Sequence, residues 1–321
     1  MAEASSMRRV AVVDVGSNSI KLLVAEGPPL HPVHENTLEV RIGGGLTGGA
    51  YGLSPEAIRT GTEAIRTLVD EAAAFTPDRL RVVATSAVRE AGNGRDLQAA
   101  CREATGFTLE VLSGEEEALG IARGVAGDPS CATLPAFEVV DLGGGSLEVI
   151  RFRRGRLDLI RSFPVGAVRL LERYVPDPDQ PVTPKAVRGI QACIQETLTA
   201  LPAPDPEESW QAVGTGGAFT VSRAIFAQRA GLALEKQSHF LSLPDLDALC
   251  RELCALPMEA RMRIPGLPAA RADILPVALV ALVAYGQARK VEGYHHSLCN
   301  LRYGLATALV EDPPTERGAE V

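Results

Sequence analysis

The chain has 321 residues, 46% of them hydrophobic, which is enough for two domains with separate cores. A net charge of −8 excludes general nucleic-acid binding, which needs a basic surface. No apolar run is long enough to span a membrane, and aromatics at 4% leave the cores to Val, Leu, Ile and Ala.

Met1 to Arg9 is short and polar and lacks the apolar core of a signal peptide, so a cytoplasmic protein with a loose leading tail is expected. Val10–Val13 reads as a buried strand and Ile20–Ala25 as its return, with Asp14-Val15-Gly16-Ser17-Asn18-Ser19 at the turn. Leu53-Ser54-Pro55-Glu56 opens a helix, with Ser54 as its cap and Pro55 in the first turn, where a missing N–H costs nothing. Leu80 to Ser86 is a strand running into a small-residue turn. Ser113-Gly114-Glu115-Glu116-Glu117-Ala118 starts a helix that ends near Gly124; Ser113 caps it and its acids complement the helix dipole. Residues 126–136 are turn formers without periodicity and form the linker.

The pattern then repeats. Val139–Val140 leads into Asp141-Leu142-Gly143-Gly144-Gly145-Ser146 and returns through Leu147–Phe152, 127 positions after the first turn. Val182-Thr183-Pro184 opens a helix 129 positions after its counterpart, and Gln211 to Gly216 matches Leu80 to Ser86 at an offset of 130. Three landmarks at nearly one offset indicate homologous halves, residues 1–125 and 126–321, with the last helix expected to pack back on the first. Each half is an α/β unit: three antiparallel strands, then alternating helices and strands. Arg151, Arg153, Arg154, Arg156 and Arg161 cluster after the second turn, either as solvated tips or as a lane for a polyanion. Leu275–Tyr285 reads as a buried helix, and the charged, Pro-rich residues beyond Glu311 as a tail. Neither the six cysteines nor the tandem His295-His296 has a zinc-binding spacing.

Glycines at such turns let successive backbone N–H groups point at an anion. A leading Asp beside that anion is useful mainly when a divalent cation bridges the two. Two such turns in matching contexts point to a pair of phosphate loops facing each other across a cleft.

In order along the chain stand Asp14-x-Gly-Ser-Asn-Ser, Ala84-Thr-Ser-Ala-Val-Arg89-Glu-Ala-x-Asn93, Ser113-Gly-x-Glu-Glu-Ala, Asp141-x-Gly-Gly-Gly-Ser-x-Glu148 and Gly214-Thr-Gly-Gly. Over residues 8–310 this resembles the exopolyphosphatase / guanosine pentaphosphate phosphohydrolase family. The resemblance implies two duplicated ribonuclease-H-like domains of the actin-like, sugar-kinase-like superfamily, with the active site in the cleft between them. It implies the short form, without the extra C-terminal helical module of longer members. It also implies Glu117 as general base, Arg89 as phosphate clamp, and Asp14, Asp141 and Glu148 at a Mg2+ (or Mn2+) ion. Phosphates would lie on Gly16, Ser17, Asn18, Gly143, Gly144, Gly145, Ser146, Gly214, Gly216 and Gly217. Phe219 is expected to narrow the approach. Inorganic polyphosphate is the leading substrate, guanosine pentaphosphate (pppGpp) the alternative, and a homodimer an assembly the family implies. An alarmone-binding regulator and an ATP-driven sugar kinase or chaperone-like ATPase are the competing classes. The intact acidic residues disfavour the first, and the motif around Glu117 disfavours the second.

Overall fold

Apolar runs rich in Val, Leu and Ile form β1 (Arg8–Val15) and β2 (Ser19–Gly27), which continue into β3 (His31–Glu39) as an antiparallel meander. The fold is that of a computed structural model, which describes residues 7–45, 52–203 and 210–312. Residues 1–6 and 313–321, which belong to the segments read above as tails, lie outside the described residues, as do 46–51 and 204–209. The run Val10–Val13 of β1 is apolar because both faces of the strand are covered: Val10 and Val12 enter one core, Ala11, Val13 and Val15 another.

α1 (Pro55–Ala73) starts where Ser54 accepts a hydrogen bond from the Ala57 N–H, with Pro55 in the first turn. β4 (Arg79–Ala84) lies parallel to β1, followed by α2 (Ser86–Glu90), α3 (Gly94–Thr105), β5 (Leu109–Val111) and α4 (Gly114–Ala126). The sheet order is β3-β2-β1-β4-β5.

The second half repeats the plan with β6 (Ala136–Leu142), β7 (Leu147–Arg153), β8 (Arg156–Phe163), α5 (Ala167–Tyr174), α6 (Pro184–Thr199), β9 (Gln211–Thr215) and α7 (Gly217–Ala230). There follow β10 (Phe240–Ser242), α8 (Leu243–Ala255), α9 (Met258–Arg261), α10 (Ile274–Arg289), β11 (Gly293–His296) and α11 (Leu301–Glu311). Its sheet runs β8-β7-β6-β9-β11-β10, the order of the first with one strand added at the edge. α10 is buried from Ile274 to Gly286 on every side, as its uniformly apolar sequence requires.

α11 packs against α4, β1 and β2, so the end of the described chain covers the first half. The two helices meet at backbone distance: a Cβ at Gly304 would stand 1.8 Å from the Gly120 carbonyl oxygen, and one at Gly124 2.2 Å from that of Asn300. The arginine cluster after the second turn divides: Arg154, Arg156 and Arg161 are exposed, while Arg151 is drawn inside. Arg151 is buried, donates to Glu138 at 2.7 Å and lies over the Trp210 ring beside Arg153. Among the described residues, no helix is long and apolar enough to cross a membrane.

Candidate active site

The two glycine turns have one geometry. Gly16 N–H donates to Ser19 O at 3.1 Å, and Gly143 N–H to Ser146 O at 2.9 Å. They face each other across a cleft of about 390 Å3 between the sheets, lined by both turns. Their approach leaves no room for side chains. A Cβ on Gly144 would lie 3.0 Å from Ser17 Cβ, and one on Gly145 2.6 Å from Ser17 Oγ and 2.1 Å from Ser86 Oγ. Loop contacts fix both turns: Gly43 N–H donates to Ser17 O, and Ala167 and Val168 at the start of α5 donate to Gly143 O and Gly144 O. Ser146 is also on the wall.

Beneath each turn, the hairpin register sets two residues side by side on one face. Across β1 and β2, Asp14 pairs with Lys21, whose Nζ stands 3.9 Å from Asp14 Oδ2. Across β6 and β7, Asp141 pairs with Glu148. Asp14 Oδ1 is buried with no hydrogen-bond partner, while Glu148 Oε1 accepts from Ser162 Oγ at 2.7 Å. Burial, opposed in part by Lys21, raises Asp141 to about 7. Burial, then the charges of Glu117 and Asp141, hold Glu148 well above the usual carboxylate range. Burial lowers the Lys21 ammonium, with Asp14 pulling the other way.

Glu117 enters from α4. Ser113 and Glu116 form a reciprocal capping box there, leaving Glu117, the third acid of the first turn, aimed inward and only 7% exposed. Burial lifts its pKa to about 7 against the pull of Arg89. Arg89 on α2 donates to Glu117 Oε2 at 3.0 Å and to Leu112 O at 2.7 Å. It stands behind Glu117 and is not on the cleft wall, so it holds the carboxylate in place from the rear. Its neighbour Glu90 pairs with Arg169 of α5, whose Nε donates to Gly145 O at 2.6 Å.

Gly216 and Gly217 line the cleft, Gly216 with φ of +98° and a hypothetical Cβ 2.6 Å from Asp141 Oδ1. Gly214, expected beside them, is instead in β9 under the Phe219 ring, which a Cβ there would meet at 2.4 Å. Phe219 is buried against Gly214, Tyr294 and His296, so it narrows no approach. Asn18 faces the cleft, with both ends of its amide bonded to Glu39 and Arg41. Sequence reasoning missed Lys21 and Arg169, whereas Arg271 stands in the segment Arg271-Ala-Asp273, which the family resemblance includes. Of the two missed, only Lys21 carried a signal, as the one charge inside the apolar run Ile20–Ala25.

The sequence matches the family model of the Ppx/GppA phosphatase family over residues 12–312. Exopolyphosphatase 2 of Mycobacterium tuberculosis is 32% identical over 288 residues, covering 84% of this chain and 87% of its own length. The chain belongs to the Ppx/GppA phosphatase family. Solved structures agree in fold: an exopolyphosphatase from Cytophaga hutchinsonii superposes with a TM-score of 0.83 at 24% identity, covering 95% of this chain and 98% of that one. The Aquifex aeolicus family member gives 0.77 at 22% identity, covering 96% and 100%. The protein is therefore a phosphatase with two duplicated ribonuclease-H-like domains.

In this Ppx/GppA phosphatase, four carboxylates (Asp14, Glu117, Asp141 and Glu148) surround Lys21 on the cleft floor. The orphaned Asp14 oxygen and the raised Asp141 and Glu148 carboxyls fit a divalent cation, which would relieve the excess negative charge. No group of three or more His, Cys, Asp or Glu side chains among the described residues is arranged to hold a metal ion, so any ion would take one or two of these carboxylates and fill its shell with water and phosphate oxygens.

Proposed function

We propose that this phosphatase is an exopolyphosphatase, which hydrolyses the terminal phosphoanhydride of inorganic polyphosphate with Mg2+ (or Mn2+) and releases orthophosphate. The observation that carries this reading is one cleft lined by both glycine turns and by Glu117: a phosphate held there lies beside a buried acid paired with an arginine. The Mycobacterium tuberculosis relative, named an exopolyphosphatase, supports the same substrate class.

Backbone N–H groups of Ser17 and Asn18 and of Gly144–Ser146 hold the terminal phosphate from opposite sides, with Gly216 and Gly217 toward the next unit. Glu117 orients a water molecule and takes its proton as the water attacks phosphorus. A loose phosphoryl transition state asks little of the nucleophile, so a carboxylate with pKa near 7 is an adequate base. Arg89 keeps that carboxylate ionised and pointed. Lys21 offsets phosphate charge from the cleft lining. One or two of Asp14, Asp141 and Glu148 would hold the ion, which would neutralise charge on the phosphate oxygens.

No aromatic ring is among the described cleft-lining residues, so a guanine base finds no stacking partner there, which favours polyphosphate over pppGpp. Metal-dependent phosphate release from long-chain polyphosphate, pppGpp and ATP tests the reading. Release from polyphosphate first and fastest is expected. Preferential release from pppGpp would move the assignment to a pppGpp phosphohydrolase, and alarmone binding without turnover would make the protein a regulator.

A further inference from the structure

The outer mouth of the cleft is closed by five residues joined end to end. Asp273 accepts two bonds from the Arg41 guanidinium, one of them 2.9 Å long to Oδ1. Arg41 Nε donates to Asn18 Oδ1 at 3.2 Å, and Asn18 Nδ2 donates to Glu39 Oε2 at 2.8 Å. Glu39 Oε1 accepts from Arg271 Nε at 2.9 Å and Nη2 at 2.7 Å. Arg41 and Glu39 belong to the first half, Arg271 and Asp273 to the second, and Asn18 to the first glycine turn. Two positive and two negative charges thus cancel across the opening. Arg41 holds its position with φ of +47°, a left-handed backbone that a residue with a side chain adopts only at a cost. Beyond these pairs is a second depression of about 320 Å3, with Met258, Met262, Ala269 and Ala270 among its walls. It shares Asn18 and Glu39 with the main cleft, so the ion pairs divide one continuous path.

We propose that Glu39 and Asp273 set the enzyme's chain-length preference. They occupy Arg271 and Arg41 until a polyphosphate long enough to reach the mouth takes the carboxylates' place. The inference rests on the polyphosphate reading above. A linear polyanion with its end between the glycine turns must run outward past this point. Phosphate oxygens fit the guanidinium fork as well as a carboxylate does. The pairs are partly exposed, at 37% and 9% for Arg41 and Asp273 and 15% and 25% for Arg271 and Glu39. Arg41 and Glu39 stay open to solvent, so a phosphate chain that arrives competes with the carboxylates for the same guanidinium forks. Tripolyphosphate, held wholly inside, leaves them closed.

The test is KM for tripolyphosphate and for long-chain polyphosphate in wild type, Glu39→Gln, Asp273→Asn and Arg41→Ala. Each acid-to-amide variant frees a guanidinium, and KM for the long chain should fall about threefold to tenfold, while that for tripolyphosphate moves less than about twofold. Arg41→Ala should raise KM for the long chain alone. Equal shifts for both substrates, or none in any variant, would overturn the proposal. If Glu39→Gln does not fold, seen as a collapsed unfolding midpoint, the other two variants decide the question. A wild type that releases phosphate from neither substrate defeats the exopolyphosphatase reading instead. Calorimetric Kd values for the same two polyphosphates then settle the role of the mouth without turnover.

Discussion

The first hairpin sets Lys21 against Asp14, and the second sets Glu148 against Asp141 at the same register beneath the same glycine turn. One backbone plan, used twice, therefore presents opposite electrostatics to one ligand. The first hairpin is close to neutral and can receive a phosphate by itself. The second holds two buried acids that cannot both ionise cheaply, so it stores a proton or requires a cation. Duplication supplied the grip, and one strand position divided the labour.

The largest expected effect is at Glu117, which feels charges from both hairpins. Glu117→Gln should lower phosphate-release turnover by at least about a hundredfold; a wild-type rate would put the base elsewhere. Lys21→Glu would give both halves the acidic pairing. It should raise KM by about tenfold to a hundredfold, the scale of a lost charged hydrogen bond, and an unchanged KM would separate Lys21 from substrate. Arg89→Ala removes a partner that holds Glu117 ionised. The acid limb of the kcat profile, set by Glu117 near 7, should then move up by about one unit; a stationary limb would cut the link between the two residues.

The smallest effect is on stability. Glu117 and Asp141 are raised from 4.5 and 3.8 to about 7, so their contribution is complete below the ordinary values and is lost as pH rises toward 7. Without metal, the unfolding midpoint should fall by roughly 2–4 °C over that interval, and Mg2+ should flatten the slope. A flat metal-free curve would mean that Lys21 alone compensates for the acids.

Much of the architecture was legible because it is written locally. Ser54-Pro55 and Thr183-Pro184 mark helix starts through caps that need no tertiary context. The glycine turns were legible for the same reason, whereas Glu117 was singled out by the family resemblance and its inward aim became visible only in the fold. What escaped depends on partners far away in sequence. Arg41 meets Asp273 and Arg271 meets Glu39 across more than two hundred positions, which no local pattern encodes. Gly214 shows the converse: its motif is that of a phosphate turn, yet its missing side chain makes space for Phe219. Arg151 likewise belonged to a basic run by composition but is committed to Glu138 inside the second half.

The glycine seam between α4 and α11 begins one helical turn from Glu117, since Gly120 follows it by three residues. At backbone distance that crossing has no side chains to repack, so any sliding of α4 against α11 meets main chain at once. The carboxylate one turn away therefore keeps its aim while ligands come and go.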